Sequence, residues 1–417
     1  MLRRFLLIFA LAVAAALAQS PAPAPSEQPK QVKTYTLPPE KLARAIAYSQ
    51  AKNWLHFIAF AYGAVVLVAA LAWKVAPRLR DWAQTASRRR IVQAYIFVPL
   101  LLLTLDVGNL PISLYDQHLS LEYGQSIQGW GSWFWDWTKG ELVEFVLAGM
   151  LAWILYGIIR RSARRWWFYF WLATIPIVVF LQFLAPVVFT PLFYKFEPLA
   201  AKQPALVAEI EKVTARGGLA IPRDHMFEMK ASEKLSSVNA YVAGVGASKR
   251  VVVWDTTFQK MTTPQILFVF GHEMAHYVLG HVPLLIVGQC LLLLVFLYAG
   301  FHAMDWMIVR AGKRWNIPRV DDWGSLPLLL LVITVVSFLM EPALNSFSRV
   351  LEHNADVYGL EVIHGIVPDA PQAAAQAFQI LGELDLSDPN PSLFIKFWLY
   401  DHPALSERIR FAVDYKK

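Results

Sequence analysis

The chain has 417 residues, of which 56% are hydrophobic and only 17% charged, and its mean hydropathy is +0.41. A soluble domain carries about 25% charged residues, so this chain cannot cover its own surface with charge. Disorder, a coiled coil and a secreted disulfide scaffold are excluded, and the single cysteine, Cys290, makes no intramolecular bridge. What remains is a polytopic membrane protein with room for one polar domain. The net charge of +7 does not point to nucleic acid. Its basic residues sit in short clusters beside apolar runs, Arg78, Arg80, Arg88, Arg89 and Arg90, then Arg160, Arg161, Arg164 and Arg165, as cytoplasmic loops of membrane proteins do.

Residues 1–18 read as a secretory signal peptide or a first anchor: Arg3 and Arg4, an apolar run from Phe5, then Ala16-Leu17-Ala18. Residues 19–53 are expected to form a linker and pre-membrane segment, with the Pro- and Ser-rich part up to Pro39 unstructured. Six apolar segments free of Asp, Glu, Lys and Arg follow, at 54–73, 91–105, 145–159, 166–194, 282–300 and 324–340. Crossing hydrocarbon takes about 20 apolar residues, so the shorter ones must borrow from their flanks. The first four define a four-helix membrane region over 54–194. Pro176 and Pro186 fall inside the long fourth segment, where a kink is expected rather than a break.

Residues 195–280 change to the composition of a soluble α/β region. Leu206, Ile210 and Val213 share one face of a helix that Gly217-Gly218 ends. Residues 239–242 and 250–254 read as two strands of a hairpin joined through Gly244 and Gly246. Thr262-Thr263-Pro264 then opens a helix. That helix carries His272-Glu273-Met274-Ala275-His276, an HExxH pentapeptide. Its histidines at i and i+4 share a face and can reach one metal ion, and Glu273 stands beside the open coordination position as a general base. A third ligand is not local. His281, five residues after His276, points roughly 140° away on a continued helix and reads as a polar residue at the membrane boundary. Downstream, Ser348-Arg349-Val350-Leu351-Glu352-His353-Asn354-Ala355-Asp356 places Glu352 and Asp356 on one helical face, as a ligand and a supporting carboxylate.

HExxH, a long gap containing membrane segments, and then SRxxExxxD resembles the M48 metallopeptidases and, more closely, the Ste24-type CAAX prenyl proteases. Ser237-Val238-Asn239-Ala240-Tyr241 with Lys249-Arg250-Val251-Val252-Val253-Trp254-Asp255-Thr256 is similar to that family's SNAY…KRIVLFDT region. Ala185-Pro186 through Pro198-Leu199 and Asp401-His402-Pro403 with Arg408-Ile409 resemble two further stretches, so the likeness covers residues 123–412. The resemblance implies a mainly α fold: a polytopic membrane helical bundle with a small α/β zincin-like domain, the peptidase part spanning 195–417 and including membrane segments 282–303 and 324–342. It implies one zinc ion on His272, His276 and Glu352, Glu273 as base, and Asp356 as the carboxylate that orients a ligand or shares in proton transfer. It also implies His402 as the oxyanion stabiliser, Arg408 as the partner of Asp356, and Asn239 on the substrate-binding strand.

The expected activity is zinc-assisted peptide hydrolysis, on a peptide or protein substrate that is membrane-associated or lipidated, with the bilayer as the other partner and no nucleic acid. CAAX-box processing and membrane-protein quality control both remain open. A transporter or scaffold with a structural metal has no use for Glu273. A site-2-type intramembrane protease needs a downstream LDG-like motif, and Leu105-Asp106-Val107-Gly108 lies upstream and is imperfect. Lys plus Arg number six in 74–90, four in 160–165, four in 304–325 and one in 116–144. The positive-inside rule therefore places the site on the extracytoplasmic face of a bacterial inner membrane.

Overall fold

Hydropathy sets where the long helices lie. The structure is a computed structural model describing residues 31–244 and 249–416, and it contains six helices long and apolar enough to cross a membrane. They are α1 Pro39–Ala72, α3 Arg90–Glu122, α4 Trp130–Arg161, α5 Trp166–Val188, α9 His281–Trp315 and α10 Leu326–Ile363. The expected signal peptide or anchor at 1–18, the expected linker through residue 30 and the hairpin tip at Gly246 lie outside the described residues. Each spanning segment expected from hydropathy is present, but the helices overrun the apolar stretches. α1 starts at Pro39, well before residue 54, and α3 continues through Pro99 and Pro111 to Glu122. Between α1 and α3 lies a short helix that hydropathy does not reveal, α2 Val75–Ala86, buried through Ala76, Leu79 and Ala83.

The residues just before α1 are not a free linker. Tyr35 is 3% exposed and donates from its hydroxyl to the Ser387 carbonyl at 3.1 Å. The backbone of Thr36 pairs in both directions with the Gln379 side chain. An aromatic ring brings enough apolar area to order a short segment, and Tyr35 spends it against the core of the soluble part.

The two ends of the bundle are distinct. At one, the basic loops meet: Arg80 bonds Asp322 at 2.9 Å and the Asn316 carbonyl, while the Tyr156 hydroxyl meets Ser325 Oγ at 2.8 Å. At the other, residues 123–129 join the soluble domain through the Ile127 N–H on the Lys234 carbonyl and the Gln125 amide on the Leu384 carbonyl. Over the long fourth segment α5 runs as one helix to Val188, through Pro176 and Pro186.

The soluble domain has a four-stranded sheet in the order β1-β2-β4-β3, with β1 Phe196–Pro198, β2 Met226–Met229, β3 Ala240–Ala243 and β4 Arg250–Trp254. β2 and β4 are parallel and the other pairs antiparallel. Central β4 is covered on both faces, which is why Val251, Val252 and Val253 run without polar alternation. α6 Pro204–Arg216 ends at Gly217 as expected, and α7 Asp255–Lys260 leads into α8 Thr263–Val278. α8 begins with a capping box between Thr262 and Gln265 and has Pro264 in its first turn. α11 Ala370–Leu384, α12 Leu393–Leu399 and α13 Leu405–Asp414 complete the domain. α8 is buried along Ile266, Leu267, Phe268, Phe270 and Met274, in one core with Leu360, Val362 and Phe378.

Candidate metal centre

Two helices far apart in sequence build the site, and they touch at glycines. A Cβ on Gly359 of α10 would stand 3.1 Å from the His272 N, and one on Gly271 of α8 would stand 2.8 Å from Val362 Cγ1. This close crossing carries Glu352, on the next turns of α10, to the histidines of α8. His272 Nε2 lies 3.4 Å from His276 Nε2 and 3.1 Å from Glu352 Oε2, and His276 Nε2 lies 3.5 Å from Glu352 Oε1. Ligands of a tetrahedral zinc stand about 3.3 Å apart, and the two imidazole nitrogens match that spacing to each other and each to one of the two Glu352 oxygens. Glu352 Oε2 is buried and has no hydrogen bond of acceptable geometry, although imidazole nitrogens crowd it. That is the arrangement of lone pairs aimed at a shared point.

The supporting carboxylate is where the i, i+4 spacing puts it. Asp356 Oδ1 meets His272 Nδ1 at 2.8 Å, and Arg408 of α13 grips Asp356 with its Nε at 2.8 Å and a terminal nitrogen at 2.6 Å. Asp356 is 1% exposed and Arg408 8%, so this is a buried ion pair. A carboxylate behind a metal-ligating imidazole fixes its tautomer and raises its basicity.

His402 arrives from the loop between α12 and α13. Its Nε2 is 3.0 Å from Glu352 Oε2, and its Nδ1 is 2.8 Å from Asp401. Burial opposes a charge on His402, but Asp401 and Glu352 outweigh it and raise the imidazole well above its ordinary range. His272, Glu352 and His402 also satisfy the spacing of a metal group, so two donor sets share His272 and Glu352. Glu273 projects beside them. Burial pushes its carboxyl up to about 7, against the opposing pull of a charged His272. A carboxyl near neutrality is poised to exchange protons at working pH.

Asn239 immediately precedes edge strand β3. Its backbone N–H donates to the Thr257 hydroxyl at 2.9 Å, and its carbonyl accepts from Thr257 and Trp254, which fixes the start of the strand.

Three residues of the site are missed by sequence reasoning. His281 does not point away from His276: its Nδ1 lies 3.1 Å from His276 Nδ1, because α8 ends at Val278 and a new helix starts at His281. Arg349 of the SRxxExxxD stretch donates to the Lys396 and Tyr400 carbonyls and to Ser346, holding the chain just ahead of His402. Asp401, beside His402 in sequence, is its hydrogen-bond partner. Arg349 and Asp401 were visible only as neighbours of motif residues, and Gly280 ahead of His281 is the sequence signal of the break. Asp106, the acidic residue of the upstream LDVG, gathers with Glu141 and Glu144 inside the bundle rather than with the imidazoles.

Comparison with known proteins agrees with this architecture. The family model for peptidase family M48 matches residues 200–416, and that for the CAAX prenyl protease N-terminal region, described as five membrane helices, matches residues 23–195. A Bacillus subtilis (strain 168) protein named uncharacterized metalloprotease YhfN is 35% identical over 380 residues, covering 90% of this chain and 86% of that protein. An Oryza sativa subsp. japonica protein named CAAX prenyl protease 1 homolog is 28% identical over 403 residues, 92% of this chain and 91% of its own length. The crystal structure of S. mikatae Ste24p superposes with a TM-score of 0.76 at 22% identity, covering 91% of this chain and 89% of that one, and so shares the fold.

Proposed function

The chain belongs to peptidase family M48 and is an integral-membrane metalloendopeptidase, and from the donor geometry we propose that its metal is one zinc ion held by His272, His276 and Glu352. The observation that carries this is the close approach of the donors: the two Nε2 atoms stand 3.4 Å apart, with Glu352 Oε2 3.1 Å from His272 and Glu352 Oε1 3.5 Å from His276. Zinc, when bound, supplies a Lewis acid for the scissile carbonyl and for water. Glu273 takes the proton of the attacking water and later gives it to the leaving amine. His402, held by Asp401, donates to the oxygen that becomes negative as the carbonyl carbon turns tetrahedral. Arg408 and Asp356 keep His272 in place. Edge strand β3, entered at Asn239, pairs with the substrate backbone, so the substrate is read as an extended segment.

The soluble domain and the basic loops lie at opposite ends of the bundle, which supports an extracytoplasmic site in a bacterial inner membrane. Such a site would not meet a cytosolic prenylated tail. The substrates proposed are therefore extended segments of membrane-associated proteins, with CAAX termini, named in the relatives, as the competing class.

Replacing His272, His276 or Glu352 by Ala should abolish stoichiometric zinc and proteolysis together. A metal-free protein with undiminished proteolysis would end the zinc assignment. Orientation is checked with a Cys290→Ser protein carrying one new cysteine near Lys202. Labelling by an impermeant reagent in intact cells is expected, and labelling only after lysis would reverse the topology.

A further inference from the structure

His272 and His276 offer equivalent Nε2 atoms, but their Nδ1 atoms face different partners. His272 has the Asp356–Arg408 pair behind it. Among the described residues, His276 Nδ1 has His281, Nδ1 to Nδ1 at 3.1 Å, with the two rings edge to face at 5.1 Å between centroids. An imidazole that gives Nε2 to a metal carries its proton on Nδ1, and that N–H needs an acceptor. His281 is 3% exposed, so water does not freely replace it. To accept, its Nδ1 must hold the lone pair, which leaves its own proton on Nε2 and the ring neutral.

The backbone explains how a residue five positions on can reach. An unbroken helix would turn His281 about 140° away from His276. Here Gly280 takes φ 71°, ψ 24°, and His281 becomes the first residue of α9. That conformation costs glycine little and strains an L residue.

We propose that His281 is a positioning residue for the metal centre, accepting the Nδ1–H of His276 and fixing its tautomer and ring plane. The two histidines are thus backed asymmetrically, one by a charged pair and one by a neutral ring. His276 is the less basic and more weakly held ligand. This rests on the zinc assignment given under Proposed function.

The test uses the full-length purified protein and zinc alone as the probe. Zinc affinity is measured by competition with a chelator, the cobalt-substituted protein is examined by visible absorption, and melting of the zinc-free protein is followed in parallel. His281→Phe keeps a flat ring and removes the acceptor, and a loss of roughly ten- to a hundredfold in zinc affinity with an altered cobalt spectrum is expected. His281→Asn, whose Oδ1 stands near the place of Nδ1, should recover most of the affinity. Gly280→Ala, which strains the turn, should lose part of it. Unchanged zinc affinity in His281→Phe overturns the proposal, as does an Asn variant no better than Phe. A drop in zinc-free melting that accounts for the affinity loss also overturns it, because the role would then be structural. Failure of the parent protein itself to bind zinc would instead defeat the zinc assignment, and this proposal with it.

Discussion

Charged side chains tie the loops together at both ends of the bundle, but the ties do different jobs. At the basic end, Arg80 joins α2 to the turn before α10 through Asp322 and the Asn316 carbonyl, and Arg80 keeps a second acidic partner in Asp81. At the other end, Asp356 is enclosed between His272 and Arg408, and among the described residues Arg408 has no comparable second carboxylate bonded to it. The first contact positions helices, and a slightly shifted helix still spans a membrane. The second positions donor atoms, where a displacement of 1 Å is decisive. Redundancy is affordable in the one place and absent in the other.

The comparison is sharpened first by removing chemistry without removing structure. Glu273→Gln should lower kcat/KM by about 10²–10⁴ while zinc content and melting temperature stay at parental values. Parental turnover in that variant would remove Glu273 as the base. The next largest effect is expected for Arg408→Ala, which strands the buried Asp356 carboxylate at a cost of about 3–5 kcal/mol. Chemical denaturation and zinc titration should both report it, and unaltered values would detach Arg408 from the site.

Gly359→Ala pushes α10 off α8 at their crossing. About 1–3 kcal/mol of stability should be lost, with weaker zinc binding as Glu352 moves away from the histidines. Arg349→Lys keeps the charge but loses the guanidinium, one of whose terminal nitrogens bonds the Lys396 and Tyr400 carbonyls while the other bonds Ser346. Turnover should fall about tenfold at constant zinc content, since the clamp holds the chain leading to His402, not a ligand. The smallest effect is assigned to the other end: Asp322→Asn should cost about 1 kcal/mol and leave zinc affinity and turnover untouched. A fall in turnover there would show that the two ends are coupled after all.

Much of the site was legible because helical periodicity is local. HExxH puts two imidazoles on one face, and Glu352 with Asp356 repeats the same i, i+4 logic. His281 was misread for the same reason: the periodic argument assumed a continuous helix, and Gly280 breaks it. Of the segment expected as linker, the described part from residue 31 is ordered by Tyr35, since composition carries no signal that one ring finds a core to enter. Arg349 bonds main-chain carbonyls 47 and 51 residues onward, and carbonyls carry no sequence signal.

Local sequence suffices for the six spans, the basic loops between them, the HExxH pentapeptide and the carboxylates that answer it. These follow from hydropathy and from the fixed rise and turn of a helix, which act over a few residues. Only the tertiary structure decided that α8 and α10 meet glycine to glycine, that Arg408 closes on Asp356, and that His281 stands behind His276. Those contacts join segments whose separation along the chain carries no information about their separation in space. They form only when close packing brings the backbones together.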